Sequence, residues 1–153
     1  MLCGPRAQAQ VRQRLAEARL FVLACVPEAG GGSDNLPTVI MEAMACGLPV
    51  ISTRLAGVPE MIESGVEGWL VEPRDAEALA GAAARFLTNQ AEAEGFGERA
   101  RAAAREKFAI EKTTSALKHL LVERAGVPVP PAACQADPAL REKPLGWLAR
   151  LWR

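Results

Sequence analysis

The chain alternates short apolar runs with longer stretches in which apolar residues recur every three or four positions. Residues 6–18 are of the second kind. Val11, Leu15 and Ala18 share one helix face, and Pro5 stands just ahead as a first-turn residue. Leu20 to Val26 is a continuous apolar run closed by Pro27, a pattern that predicts a strand buried on both faces, as in parallel sheets. A loop through Gly30, Gly31 and Gly32 follows. Pro37 then starts a helix that Gly47 stops. Residues 49–53 read as a second buried strand, residues 56–64 as a turn and a short helix opened by Pro59, and residues 68–71 as a third strand. Pro73 and Asp75 open a further helix, closed by Asn89, with Leu79, Ala83, Phe86 and Leu87 on one face. From Ala91 to about Ala125 the pattern is helical again. Gly95 and Gly97 weaken its first turns, and a break is expected near Phe108–Ile110.

Strands alternating with helices describe βα units on a parallel sheet, so the fold class is α/β, a partial Rossmann-like sheet flanked by helices. Three strands are few for a doubly wound domain, and the chain reads as the later part of a nucleotide-binding domain, residues 1–125. From Gly126 the composition shifts to a Pro-rich linker and tail, residues 126–153. Within it, residues 144–153 bring Trp147, Leu148, Leu151 and Trp152 to one side with Arg150 and Arg153 nearby. That pattern suits an amphipathic foot on a membrane or a partner domain, or a tail docked on its own domain.

Charge and cysteine usage narrow the chemistry. Eighteen Lys plus Arg balance 18 Asp plus Glu, which argues against a nucleic-acid binder driven by counterion release. No apolar run approaches the ~18 residues of a membrane span, and the N-terminus has no apolar core of a secretory signal, so a cytoplasmic location is expected. Cys3, Cys25, Cys46 and Cys134 form no C-x-x-C pair, and the single histidine, His119, is far from all of them in sequence. No metal and no other cofactor is therefore expected.

The informative segment is residues 33–60. In an open parallel sheet, ligands bind at the carboxyl ends of the strands. The loop 27–36 leaves such an end and feeds the helix at Pro37, whose N-terminus offers unpaired N–H groups and the positive end of a dipole to a phosphate. Pro37 has no N–H, so the donors are the amides of Asn35, Leu36, Thr38 and Val39. Asp34 and Glu42 flank this anion site. A carboxylate repels a diphosphate, but it accepts hydrogen bonds from paired hydroxyls, as on a ribose or a hexose. Taken singly, Asp34 also reads as a helix cap and Glu42 as a solvated helix residue.

Read whole, the segment resembles the donor-binding motif of retaining glycosyltransferases of the GT-B architecture, family 4, the group 1 glycosyltransferases. The resemblance rests on Asp34-Asn35-Leu36-Pro37, Glu42-Ala43-Met44-Ala45, Gly47, Pro49-Val50-Ile51-Ser52-Thr53 and Gly57-Val58-Pro59-Glu60, with agreeing flanks over about residues 2–124. Asp34 stands where the family more commonly has Glu, and Asn35 where it has Gly. The resemblance implies that Asp34 meets hydroxyls of the transferred sugar as the catalytic-site carboxylate. It further implies that Glu42 holds the nucleotide ribose and that the amides around Asn35–Val39 hold donor sugar and diphosphate. It also implies retention at the anomeric carbon without a bound metal.

The family's N-terminal acceptor domain, and the first βα units with the Arg/Lys pair that neutralises the diphosphate, are expected to lie outside these 153 residues. Arg54 comes too late in the chain to replace that pair. The chain is accordingly expected to be inactive alone, needing that acceptor domain as partner, with an envelope or polysaccharide acceptor. The excess of arginine over lysine suggests a GC-rich bacterial source. The alternatives are a non-catalytic module retaining part of a nucleotide-sugar site, or one half of a split enzyme. An oxidoreductase is disfavoured by the absence of a strand–GxGxxG–helix unit.

Overall fold

The computed structural model describes residues 4–27, 30, 32 and 35–126. The elements run α1 (Gln8–Glu17), β1 (Phe21–Leu23), α2 (Thr38–Ala45), β2 (Val50–Thr53), α3 (Val58–Met61), β3 (Gly68–Val71), α4 (Ala76–Thr88), α5 (Gln90–Phe108) and α6 (Ile110–Ala125). The chain divides into two compact units after Ala104, within α5. The Pro-rich linker and the tail, residues 127–153, lie outside the described residues.

The first unit is a three-stranded parallel sheet in the order β1-β2-β3, with Phe21 opposite Val50 and Val50 opposite Gly68. The central place explains why all four residues of β2 are buried. β1 departs from the expectation of a strand buried on both faces. It is three residues long rather than seven and lies at the edge of the described sheet, with Val22 in the strand 40% exposed and Val26, three residues past its end, 49% exposed. The apolar run is there, but among the described residues only β2 pairs with it.

Helices cover the sheet. α2 packs on β1 and β2 and buries Ile40, Ala43, Met44 and Ala45. α4 packs on β2 and β3. Ile51 joins Ala82, Phe86, Ala93 and Phe96 in one cluster, bordered by Leu20, Trp69, Leu79 and Ala83. Phe86 and Phe96 meet edge to face at 5.0 Å, a geometry that adds to their area burial. The Asp75 side chain caps α4 by accepting from the Ala78 amide at 2.8 Å. Leu87 is 50% exposed and not part of the α4 core face. At 100° per residue it lies about 80° from Leu79, while Ala82, on the other flank of the stripe, takes the buried place. α1 is amphipathic in sequence yet buries no residue.

The second unit begins at Arg105 and contains the last turn of α5 and α6. The break between the two helices falls at Ala109, whose backbone is extended (φ −59°, ψ 129°). α6 ends at Gly126, in the left-handed region, with its amide bonded to the Leu121 carbonyl.

Candidate functional site

Because the three strands are parallel, their carboxyl ends share one edge of the sheet. There β1 leads towards α2, β2 into α3 and β3 into α4. Two hydroxyls tie the first of these ends to the second. Ser52 Oγ donates to the Leu23 carbonyl at 2.8 Å, and Thr53 Oγ1 donates to the Cys25 carbonyl at 2.7 Å. The Ser-Thr that closes β2 thus continues the β1–β2 contact past the last ladder pair.

Beyond Thr53 the chain turns sharply. The Leu55 amide bonds back to the Thr53 carbonyl at 2.9 Å, and Ala56 takes a left-handed φ of 48°, uncommon for a residue with a side chain. This turn delivers Gly57 against the loop that precedes α2. The Gly57 amide donates to the Asn35 carbonyl at 2.9 Å. A Cβ at Gly57 would lie 2.4 Å from that oxygen and 2.5 Å from Leu36 Cδ1. Two motif segments some twenty residues apart in sequence are therefore in contact at the mouth of α2. Gly30 is not crowded in this way, for a Cβ built there meets nothing within 4 Å.

α2 begins at Thr38 with the buried Pro37 as its N-cap, and the Ile40 amide closes the first turn on the Pro37 carbonyl at 3.0 Å. Thr38 and Val39 are exposed, and their N–H groups are among those that a helix leaves without an internal acceptor. Asn35 and Leu36 are exposed beside them. Glu42 follows one turn along, about 6 Å up the axis from Thr38. It is half-buried, and its carboxylate makes no hydrogen bond or ion pair among the described residues. Asp34 lies outside the described residues. Of the expected site residues, the structure thus gathers Asn35, Leu36, Thr38, Val39 and Glu42 on α2 and its approach.

The C-terminal end of α2 is held as firmly as its mouth. Arg101, on α5, donates from Nε to the Ala45 carbonyl at 3.2 Å and from Nη2 to the Cys46 carbonyl at 2.9 Å. Gly47 leaves the helix with φ 78°, and a Cβ there would meet the Arg101 guanidinium at 3.2 Å. Burial pushes the Cys46 thiol above its ordinary range, Arg101 opposes that shift, and Glu42 adds to it. Arg54 sits where β2 ends, and its guanidinium is paired with Glu72 at 3.3 Å on the exposed rim. The sequence reading singled out neither Arg101 nor the structural part of Ser52 and Thr53. The latter could be suspected from their place at the end of a buried strand, whereas nothing local marks Arg101.

Among the described residues no three of His, Cys, Asp and Glu group as a metal site, and no described helix is long and apolar enough to cross a membrane.

Comparison with known proteins agrees with this geometry. The amylovoran biosynthesis glycosyltransferase AmsK of Erwinia amylovora is 41% identical over 91 residues, covering 60% of this chain and 22% of that protein. The N-acetyl-alpha-D-glucosaminyl L-malate synthase of Bacillus anthracis is 38% identical over 108 residues, 71% of this chain and 27% of that protein. Among solved structures, Anabaena HepE in complex with UDP-glucose superposes with a TM-score of 0.66 at 26% identity, over 76% of this chain and 30% of that one. The chain spans less than a third of the length of these proteins. Residues 1–89 match the family model described as glycosyl transferases group 1. With the motif around α2 and the parallel α/β sheet that presents it, which matches that of GT-B glycosyltransferases, that match places the chain in the group 1 glycosyltransferases.

Proposed function

We propose that this segment holds the nucleotide-sugar donor for a glycosyl transfer that retains configuration at the anomeric carbon and needs no metal. The observation that carries the reading is the mouth of α2. An exposed helix N-terminus stands at the carboxyl edge of a parallel sheet, with the half-buried Glu42 one turn inside, its carboxylate without a hydrogen-bond partner among the described residues. The N–H groups of Thr38 and Val39, with Asn35 and Leu36 beside them, bind oxygens of the diphosphate, where the helix contributes about half a positive charge. Glu42 accepts from the ribose hydroxyls, and Asp34 accepts from hydroxyls of the transferred sugar. The structure of Anabaena HepE in complex with UDP-glucose superposes on this chain, which supports a nucleotide-sugar as the ligand class.

Transfer also requires an acceptor held against the donor, since much of the barrier reduction comes from that positioning. The relatives are more than three times as long as the matched segment. The 153 residues by themselves therefore bind donor no more tightly than about millimolar and transfer no sugar. The remaining portion, with the acceptor domain, completes the enzyme. Two relatives named for amylovoran and colanic acid biosynthesis favour an envelope polysaccharide acceptor on the cytoplasmic side. Residues 144–153 would meet the membrane surface there.

The test is a UDP titration followed by the amide resonances of Thr38, Val39 and Glu42. Saturable shifts are expected at these positions. Glu42→Ala should weaken binding by roughly tenfold or more, the scale of a lost charge-assisted bond. Equal affinities would leave Glu42 a solvated helix residue and remove the ribose assignment.

A further inference from the structure

We infer that Arg101 is a positioning residue for the donor site, acting through α2; the inference rests on the function proposed above. α2 has only eight residues, about 12 Å of helix, so a displacement at one end is felt at the other. Its buried side, Ile40, Ala43, Met44 and Ala45, packs against the sheet. Apolar burial is non-directional and resists separation from the sheet more than sliding along it. The axial position must come from directional contacts, and these stand at the two ends.

At the mouth, the Gly57 amide grips the Asn35 carbonyl. At the far end, the Arg101 guanidinium takes the carbonyls of Ala45 and Cys46 together, two acceptors on adjacent turn residues that only a planar fork of donors can bridge at once. The same end is wedged by a backbone contact. A Cβ on Gly97 would fall 2.0 Å from the Gly47 carbonyl oxygen, so α5 lies directly against the turn that leaves α2. Arg101 follows Gly97 by one helical turn, and Gly47 keeps open the space that the guanidinium fills. A cation at this end also complements the negative pole of α2. Arg101 makes none of the expected donor contacts itself; it sets where Thr38, Val39 and Glu42 stand.

Arg99 supplies an internal control. It lies on the same helix and donates from Nε to the Val66 carbonyl at 2.7 Å, in the loop before β3, with no bond to α2. The experiment compares Arg101→Met, Arg101→Lys and Arg99→Met by amide spectra and by UDP titration of the 153-residue chain. Arg101→Met should move the resonances of Thr38, Val39 and Glu42 and weaken UDP binding by about tenfold, the scale of a misplaced supporting shell. Arg101→Lys, which keeps the charge but not the fork, should recover only part of that loss and still displace the α2 resonances, by less than Arg101→Met does. Arg99→Met should leave both readouts at wild-type values.

Unchanged α2 resonances in Arg101→Met, or an equal loss in Arg99→Met, would overturn the inference. If UDP shifts no α2 resonance in the wild-type chain, the donor-site reading fails by itself. The positioning role is then decided by whether Arg101→Met alone displaces the α2 resonances. Should Arg101→Met fail to fold, Arg101→Lys against Arg99→Lys is judged by the same criteria, with the smaller α2 displacement expected only in the former.

Discussion

Gly95 and Gly97 stand two residues apart in α5 and should respond in opposite senses to the same substitution. In a helix interior alanine is favoured over glycine by about 0.8–1.0 kcal/mol. A Cβ on Gly95 meets only Arg99 Nη1 at 3.4 Å, the far end of a flexible side chain. Gly95→Ala should therefore keep the whole gain. A Cβ on Gly97 falls 2.0 Å from the Gly47 carbonyl oxygen and 3.0 Å from its carbon, both backbone atoms. Either α5 or the turn after α2 must retreat by more than about 1 Å to reach ordinary van der Waals separation.

Overpacking of this kind costs about 1–3 kcal/mol. The retreat also stretches the Arg101 bonds to Ala45 and Cys46, so the upper part of that range applies and outweighs the propensity gain. The net expectation for Gly97→Ala is a loss of about 2 kcal/mol. That is a fall in Tm of about 10 °C for a unit of this size, against a rise of about 4–8 °C for Gly95→Ala. Urea and thermal unfolding followed by far-UV circular dichroism would measure both. Gly97→Ala as stable as the wild type, or Gly95→Ala less stable, would refute the assignment of the α5–α2 contact to these atoms.

Two further outcomes test the frame of the site and its periphery. Thr53→Val keeps the shape of a buried side chain but removes the donor to the Cys25 carbonyl, and should cost about 1–3 kcal/mol; an unmoved urea midpoint would show that the hydroxyl does not hold the β1 end. The Arg85 guanidinium, bonded to Glu92 through Nε and Nη2, holds the Glu92 carboxyl below its usual range. Its stabilising contribution is therefore present at neutral pH and is lost as pH falls through the lowered pKa. The Tm advantage of wild type over Glu92→Gln should shrink between pH 7 and pH 3, whereas a constant difference would argue that the pair contributes nothing through ionisation.

Much of this protein was legible in its sequence because local physics decides it. Residues 68–71 form a strand with the expected bounds, Asp75 caps α4, Asn89 ends it, and the helical break falls at Ala109 within the expected window. Each of these follows from a cap, a turn residue or an apolar period that acts within a few positions. The exposure of the α2 mouth was equally local, since a helix N-terminus after a parallel strand presents its first N–H groups whatever surrounds it. What the sequence could not settle depended on which elements became neighbours. Leu20 to Val26 has the composition of a fully buried strand, but burial of a strand is decided by the strands beside it, and among the described residues β1 has β2 alone. Gly97 looked like a weak point in a helix and proved to be the contact that lets α5 reach the Gly47 carbonyl. Arg101 is one arginine among many in sequence. Only the packing of α5 on the end of α2 selects it, because a guanidinium finds two adjacent carbonyls through tertiary proximity and leaves no periodic trace along the chain.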